Sequence, residues 1–155
     1  MFVATTDSEL DTLLDDPESI EEFLRTDEEG RRSLDVDKSW HGIHYLLTGD
    51  AWGGEPPLDF IVSGGESVGD VDLGYGPARA FDSEDVRDLA RALAPITPEK
   101  LFERWDPAAI ATAEIYAIQP DDDEEREYIG AYYVQLKEFV TAAARDGLGM
   151  IVYLT

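Results

Sequence analysis

The chain contains no cysteine. That removes disulfides, thiolate metal ligands and cysteine nucleophiles together. Cations are scarce. Twelve Lys and Arg, only three of them Lys (Lys38, Lys100, Lys137), face thirty-five Asp and Glu, for a net charge of −23 over 155 residues. Such a surface repels phosphates, which excludes nucleic-acid binding through a basic face and disfavours attachment to an anionic membrane. No run approaches the roughly 18 apolar residues of a membrane span. Met1 to Asp7 lacks the basic and apolar regions of a secretion signal. A cytoplasmic protein is the simplest expectation. Histidine is rare too: His41 and His44 are the whole supply.

What is present supports a folded domain. Apolar residues make up 43% of the chain and aromatic residues 10%, which argues for a core and against disorder. A chain of this length forms one domain, 1–155, and buries about two-thirds of its unfolded surface. The acidic surface would attract basic proteins and speed their arrival. A genome-wide bias toward acidic residues would produce the same charge with no task attached.

Both histidines fall in Leu34–Gly49, LDVDKSWHGIHYLLTG. Asp37 reads as a helix N-cap, Trp40, Ile43 and Leu47 as one apolar stripe, and Gly49 as the left-handed residue that ends the helix. His41 and His44 are three apart, with Asp37 four before His41 and Tyr45 four after it, so one helix edge would present all four. Two imidazoles and a carboxylate within reach of each other are the parts of a metal or acid–base site. His44 and Asp37 would be its catalytic candidates and His41 and His44 its metal candidates. The H-x-x-H spacing supplies at most two ligands and lacks the glutamate and spacing of the zinc-protease helix. The structural alternative is that Asp37 caps the helix and His44 flanks the core with its hydrogen bonds met.

The rest of the chain reads as scaffold. Phe2–Ala4 is a short strand, and Thr6-x-x-Glu9 is a capping box ahead of Leu10, Leu13 and Leu14. Asp16-Pro17 starts a second helix burying Ile20, Phe23 and Leu24, and 27–32 is a polar break. Residues 50–57, rich in glycine and proline, form an irregular loop whose Trp52 is either a lid over the core or an exposed contact residue. Leu58–Val62 reads as a strand. The glycines from Gly64 to Gly74 do not make a phosphate loop, because no G-K-[ST] or helix-opening G-x-G-x-x-G accompanies them. Gly74–Pro77 is a tight turn and Ala78–Phe81 a short strand. Arg79 either pairs with Asp35 or Asp37, as a structural contact, or anchors an anion in a pocket. Asp82, Thr97-Pro98 and Asp106-Pro107 start three further helices. Residues 114–120 are irregular, and 121–125 is an acidic run suited to a helix N-terminus. The longest helix, 124–146, carries Tyr128, Ile129, Tyr132, Leu136, Phe139, Val140 and Ala143 inward. Gly147 ends it, and Met150–Leu154 is a buried central strand.

Three stretches also carry a resemblance: Leu34-Asp35-Val36-Asp37-Lys38 with Trp40, His44 and Leu47-Thr48-Gly49; Gly74–Arg79 (GYGPAR); and Glu114-Ile115-Tyr116. With this order of elements the chain resembles the YfbM-like family of small bacterial proteins of unknown function, over nearly its whole length. His44 belongs to the shared pattern and His41 does not. Phe2-Val3-Ala4 is shorter than the usual opening of the family, which implies an abbreviated first strand or a displaced start. The resemblance implies an α/β fold with helices on a small sheet, and no reaction. Together with the pattern it gives an α/β (α+β) class: a single helix-rich domain with a small mixed sheet covered by helices.

Two functions compete. No nucleophile constellation is visible, so a non-enzymatic interaction protein, immunity- or antitoxin-like, binding a basic partner, leads, with no cofactor expected. The alternative is a small-molecule-binding domain or enzyme with a pocket around Asp35, Asp37, Trp40, His44, Tyr75 and Arg79. There a histidine between carboxylates works as acid–base, two rings form a wall and an arginine holds an anion. Oligomeric state is not legible.

Overall fold

The computed structural model describes residues 1–25, 30–116, 118–119 and 121–155 and, of Asp123, the backbone alone. Residues 27–29 of the expected polar break, and Ala117 and Pro120 of the expected irregular stretch, lie outside the described residues. In chain order the elements are β1 (Phe2–Thr5), α1 (Asp7–Asp15), α2 (Ile20–Arg25), β2 (Ser33–Leu34), α3 (Trp40–Thr48), β3 (Glu66–Ser67), β4 (Arg79–Phe81), α4 (Ser83–Leu93), α5 (Pro98–Leu101), α6 (Pro107–Thr112), α7 (Asp123–Arg145) and β5 (Gly149–Val152). Short 3₁₀ turns precede α2 and α3 and follow α5. The class is α+β, with helix predominating over a small five-stranded sheet.

The chain divides into two compact units, Met1–Asp35 with Gly65–Asp88 and Val140–Thr155, and Val36–Gly64 with Leu89–Phe139. The first unit holds the sheet, in the order β2-β1-β5-β4-β3. Every pairing is antiparallel, which corrects the expectation of a mixed sheet. The two edge strands, β2 and β3, are two residues each and too short to leave a periodic signal. The centre is β5, as its apolar run predicts, and every residue of β1 and β5 is buried. Val3, Ile151 and Ala80 lie side by side in register and share one face. Leu10 and Leu13 of α1, Ile20 of α2 and Val68 pack into the same cluster, with Leu14, Phe23 and Leu24 at its margin. The Thr6–Glu9 capping box forms as read: Thr6 Oγ1 accepts from the Glu9 N–H, and the Glu9 carboxylate accepts from the Thr6 N–H at 3.0 Å.

The second unit is helical. Ile43, Leu46 and Leu47 of α3 are buried, and the helix ends at Gly49 with φ +80°, a left-handed position that glycine takes without penalty. A Cβ at Gly42 would come within 2.5 Å of Ile118 and 3.0 Å of Ile129, so α3 lies close against these side chains. The start of α3 differs from expectation. Asp37 is not its cap: it sits in a 3₁₀ turn at φ +48° ahead of the helix, and its carboxylate accepts from the Tyr128 hydroxyl at 2.8 Å.

Leu58–Val62 is not a strand. Val62 and Ser63 both donate to the Asp59 carbonyl, at 3.0 and 2.9 Å, and close a helical turn. Phe60 and Ile61 are both buried, neighbours that a one-sided strand would point to opposite faces. On α7 the fully buried ring is Tyr133, whose hydroxyl donates to the Ile96 carbonyl at 2.8 Å, while Tyr132 is only half-buried. Burial pushes the Tyr133 phenol up to about 12. Helix α7 ends in a Schellman motif through Gly147 and Leu148, which donate to the Ala144 and Ala143 carbonyls.

Candidate functional site

In the second unit α3 carries Trp40, His41 and His44, and Ala51 and Trp52 from one loop and Tyr116 from another segment lie beside them. The imidazole of His41 joins the two segments. Its Nδ1 accepts from the Tyr116 N–H at 2.8 Å, and its Nε2 lies 2.8 Å from the Ala51 carbonyl. A backbone N–H can only donate and a carbonyl can only accept, so the ring is neutral and carries its proton on Nε2. Both nitrogens are thereby committed, and neither is open to a metal. Burial holds the His41 pKa below its ordinary value, with the Ala51 carbonyl pulling the other way.

His44 is the opposite case. It is 0% exposed, yet neither ring nitrogen has a hydrogen-bond partner among the described residues. Burial again lowers its pKa. The Gly53 backbone raises it without reaching hydrogen-bond geometry, His41 lowers it, and Asp59 and Asp50 raise it. Asp59 is itself buried and bonded to the Ser63 hydroxyl at 2.8 Å. The expected helix edge presenting Asp37, His41, His44 and Tyr45 is therefore replaced by two enclosed imidazoles, a half-buried Tyr45 and an Asp37 engaged by Tyr128.

An aromatic cluster surrounds His41. Trp40 stacks on it at 4.7 Å and 14°, and Trp52 tilts against it at 4.6 Å. Trp40 also lies 6.0 Å from Trp52 and 6.2 Å from Tyr116. Trp40 is buried, but Trp52 is 55% and Tyr116 44% exposed, so the cluster opens to solvent through these two rings. Trp52 thus lies over buried rings, as a lid would, and is itself exposed. Asp50 shapes the loop that holds it. Its Oδ1 accepts from the Trp52 and Gly53 N–H groups at 2.9 and 2.8 Å, and these bonds hold its carboxyl below the usual range. Beside it a shallow groove of about 580 Å³ is lined by Tyr45, Asp50, Ala51 and small residues of α6. Arg104 donates to the Leu46 and Leu47 carbonyls, a cation at the C-terminal end of α3 that the sequence did not reveal.

The other expected site residues belong to the first unit. Asp35 closes its first segment, and its charge acts on the Met1 amine, which burial brings down to about 6. Tyr75 is exposed in the Gly74–Pro77 turn, which the Asp72 carboxylate holds by accepting from the Gly74 and Gly76 N–H groups. Arg79 lies on β4 opposite Val152, with its guanidinium 5.8 Å from the centre of the Phe81 ring. Among the described residues no three His, Asp or Glu side chains come together as a metal site. No helix among them is long and apolar enough to cross a membrane.

The family model described as "Domain of unknown function (DUF1877)" matches residues 1–153. The chain belongs to this family. A comparison with curated proteins finds no match. Among solved structures the chain is similar to a protein of unknown function, YfbM from Escherichia coli, at 20% identity and a TM-score of 0.71, covering 97% of this chain and 95% of that one. The likeness bears out the expected family resemblance and, at this identity, concerns the fold alone. The position of Trp52 beside His41 follows from tertiary contacts of the 49–64 loop.

Proposed function

We propose that this chain is a non-enzymatic cytoplasmic interaction protein whose acidic surface holds a basic protein, in the manner of an immunity protein or antitoxin. The observation that carries the reading is charge. Twenty carboxylate residues stand against six cations in the first unit and fifteen against six in the second. Charge of one sign across both units draws an oppositely charged partner over distances of about a Debye length and raises the association rate. The test is affinity capture from host lysate at physiological salt, followed by kinetics with the retained protein. One basic protein at near-stoichiometric yield is expected, with an association rate that falls steeply with salt while dissociation changes little. Retention of no basic protein would overturn the reading.

A second reading, small-molecule binding or acid–base chemistry at His44, draws on one observation: an enclosed imidazole whose nitrogens have no partner among the described residues. Its test is an NMR screen of small anionic and neutral ligands. Shifts confined to the His44 ring and its neighbours support it, and a His44 signal that no ligand moves removes it.

A further inference from the structure

Elsewhere in this molecule buried and half-buried aromatic rings carry the protein's own arginines against them. Arg31 lies 3.9 Å above the Phe23 ring, and Arg79 lies over Phe81. In the second unit Arg126 covers both Phe102 and Trp105, at 5.2 and 5.6 Å. A planar guanidinium suits a ring face because it is weakly hydrated above and below its plane and is drawn by the ring quadrupole. Among the described residues no arginine covers Trp52 or Tyr116, although these are among the most exposed large rings of the chain.

The charges around the two rings point the same way. The segment 49–64 carries Asp50, Glu55 and Asp59 and no Lys or Arg. The segment 113–122 carries Glu114 and Asp121 to Asp122, again without a cation. All but Asp59 are exposed. Asp50 spends Oδ1 on the Trp52 loop, and Oδ2 takes part in neither of those bonds. The rings are also held in place: Trp52 by the Asp50 turn and the His41 contact, and Tyr116 by the N–H bond to His41 Nδ1. Aromatic anchors on an ordered backbone lose little entropy on binding.

We propose that Trp52 and Tyr116, on the buried Trp40–His41 stack, form the seat for an arginine side chain of a basic protein partner. The inference rests on the interaction reading above and adds to it a location and a side-chain preference. Carboxylates alone attract Lys and Arg alike. The rings favour arginine.

The test is titration of the full chain with hexa-arginine amide and hexa-lysine amide at physiological salt, followed by calorimetry. Hexa-arginine is expected to bind about tenfold tighter than hexa-lysine, the scale of a desolvated cation–π contact. The double variant Trp52→Ala, Tyr116→Ala should bring the two peptides to equal affinity, and Trp52→Phe should keep part of the difference. Circular dichroism melting of each variant confirms that the fold is retained. Equal binding of both peptides to the unsubstituted chain overturns the arginine seat and leaves the interaction reading standing. Binding of neither peptide overturns both. Self-association in sedimentation that Trp52→Ala abolishes overturns the seat as well, with a second copy as occupant of the face.

Discussion

In the first unit the Glu9 carboxylate accepts from the Thr6 N–H, from both the Thr5 and Thr6 hydroxyls, and from Arg31. Asp146 is likewise paired, with Arg145 and Arg32. In the second unit a fully buried imidazole, His44, has neither nitrogen bonded and two exposed rings have no cation over them among the described residues. In the first unit these two carboxylates are met by the protein's own donors. The second leaves polar and aromatic groups unanswered beside a cluster whose one bonded imidazole, His41, ties two segments together. Unmet groups of this kind cost stability, and the binding seat proposed above lies in the second unit.

His41→Phe breaks the comparison hardest. The ring stack is kept, but the Ala51 carbonyl and Tyr116 N–H lose their partner. The cost expected in urea unfolding is about 1–3 kcal/mol, and hexa-arginine affinity should drop with it, because Tyr116 loses its tie. The same site sets an acid response. Burial keeps both imidazoles below their ordinary pKa, whereas the unfolded chain titrates near 6.5, on the order of the model-peptide value. Below that pH the unfolded state binds more protons than the folded one. The histidine contribution is therefore complete above about pH 6.5 and is lost as pH falls further. Protonated His41 would also set a donor against the Tyr116 N–H. The fall in stability between pH 6.5 and 5 should be shallower in His41→Phe than in the unsubstituted chain, and an equal slope would contradict this.

Glu9→Gln tests the first unit. Loss of the charged half of the capping box should cost about 1 kcal/mol. Its pH window is different. The Thr6 N–H and Thr5 hydroxyl, followed by Thr6 Oγ1 and Arg31, bring the Glu9 carboxyl down from 4.5 to about 2. Its contribution is present above pH 4.5 and lost toward pH 2, where Asp146, lowered to about 2 by Arg145 and Arg32, adds to the loss. The smallest effect is expected for His44→Leu. An apolar side chain of similar volume removes two unbonded buried nitrogens, so stability should stay level or rise slightly. A large loss would show that His44 holds an internal partner such as a buried water.

Signals that depend on near neighbours were legible in the chain. The Thr6–Glu9 box, the Asp82, Thr97 and Asp106 caps and the Gly49 and Gly147 terminations all formed where the residues implied. Each is set within about four residues of backbone. The centrality of β5 was legible too, because only a buried strand tolerates an unbroken apolar run. Leu58–Val62 was not. Five apolar-rich residues do not distinguish a strand from a buried turn, and the Asp59 carbonyl decided it. Asp37 looked like a cap because the sequence does not show Tyr128, 91 residues on, whose hydroxyl it accepts.

By itself, then, the sequence determined most of the helices, those ends set by local caps, the family and the sign of the surface, all properties of composition or of local spacing. The tertiary structure decided what the two histidines do. Their spacing makes them near-equivalent neighbours on α3, but one meets a carbonyl and an N–H from distant segments and the other meets neither. Hydrogen-bond partners beyond one helical turn are supplied by chain folding, and no local pattern encodes them.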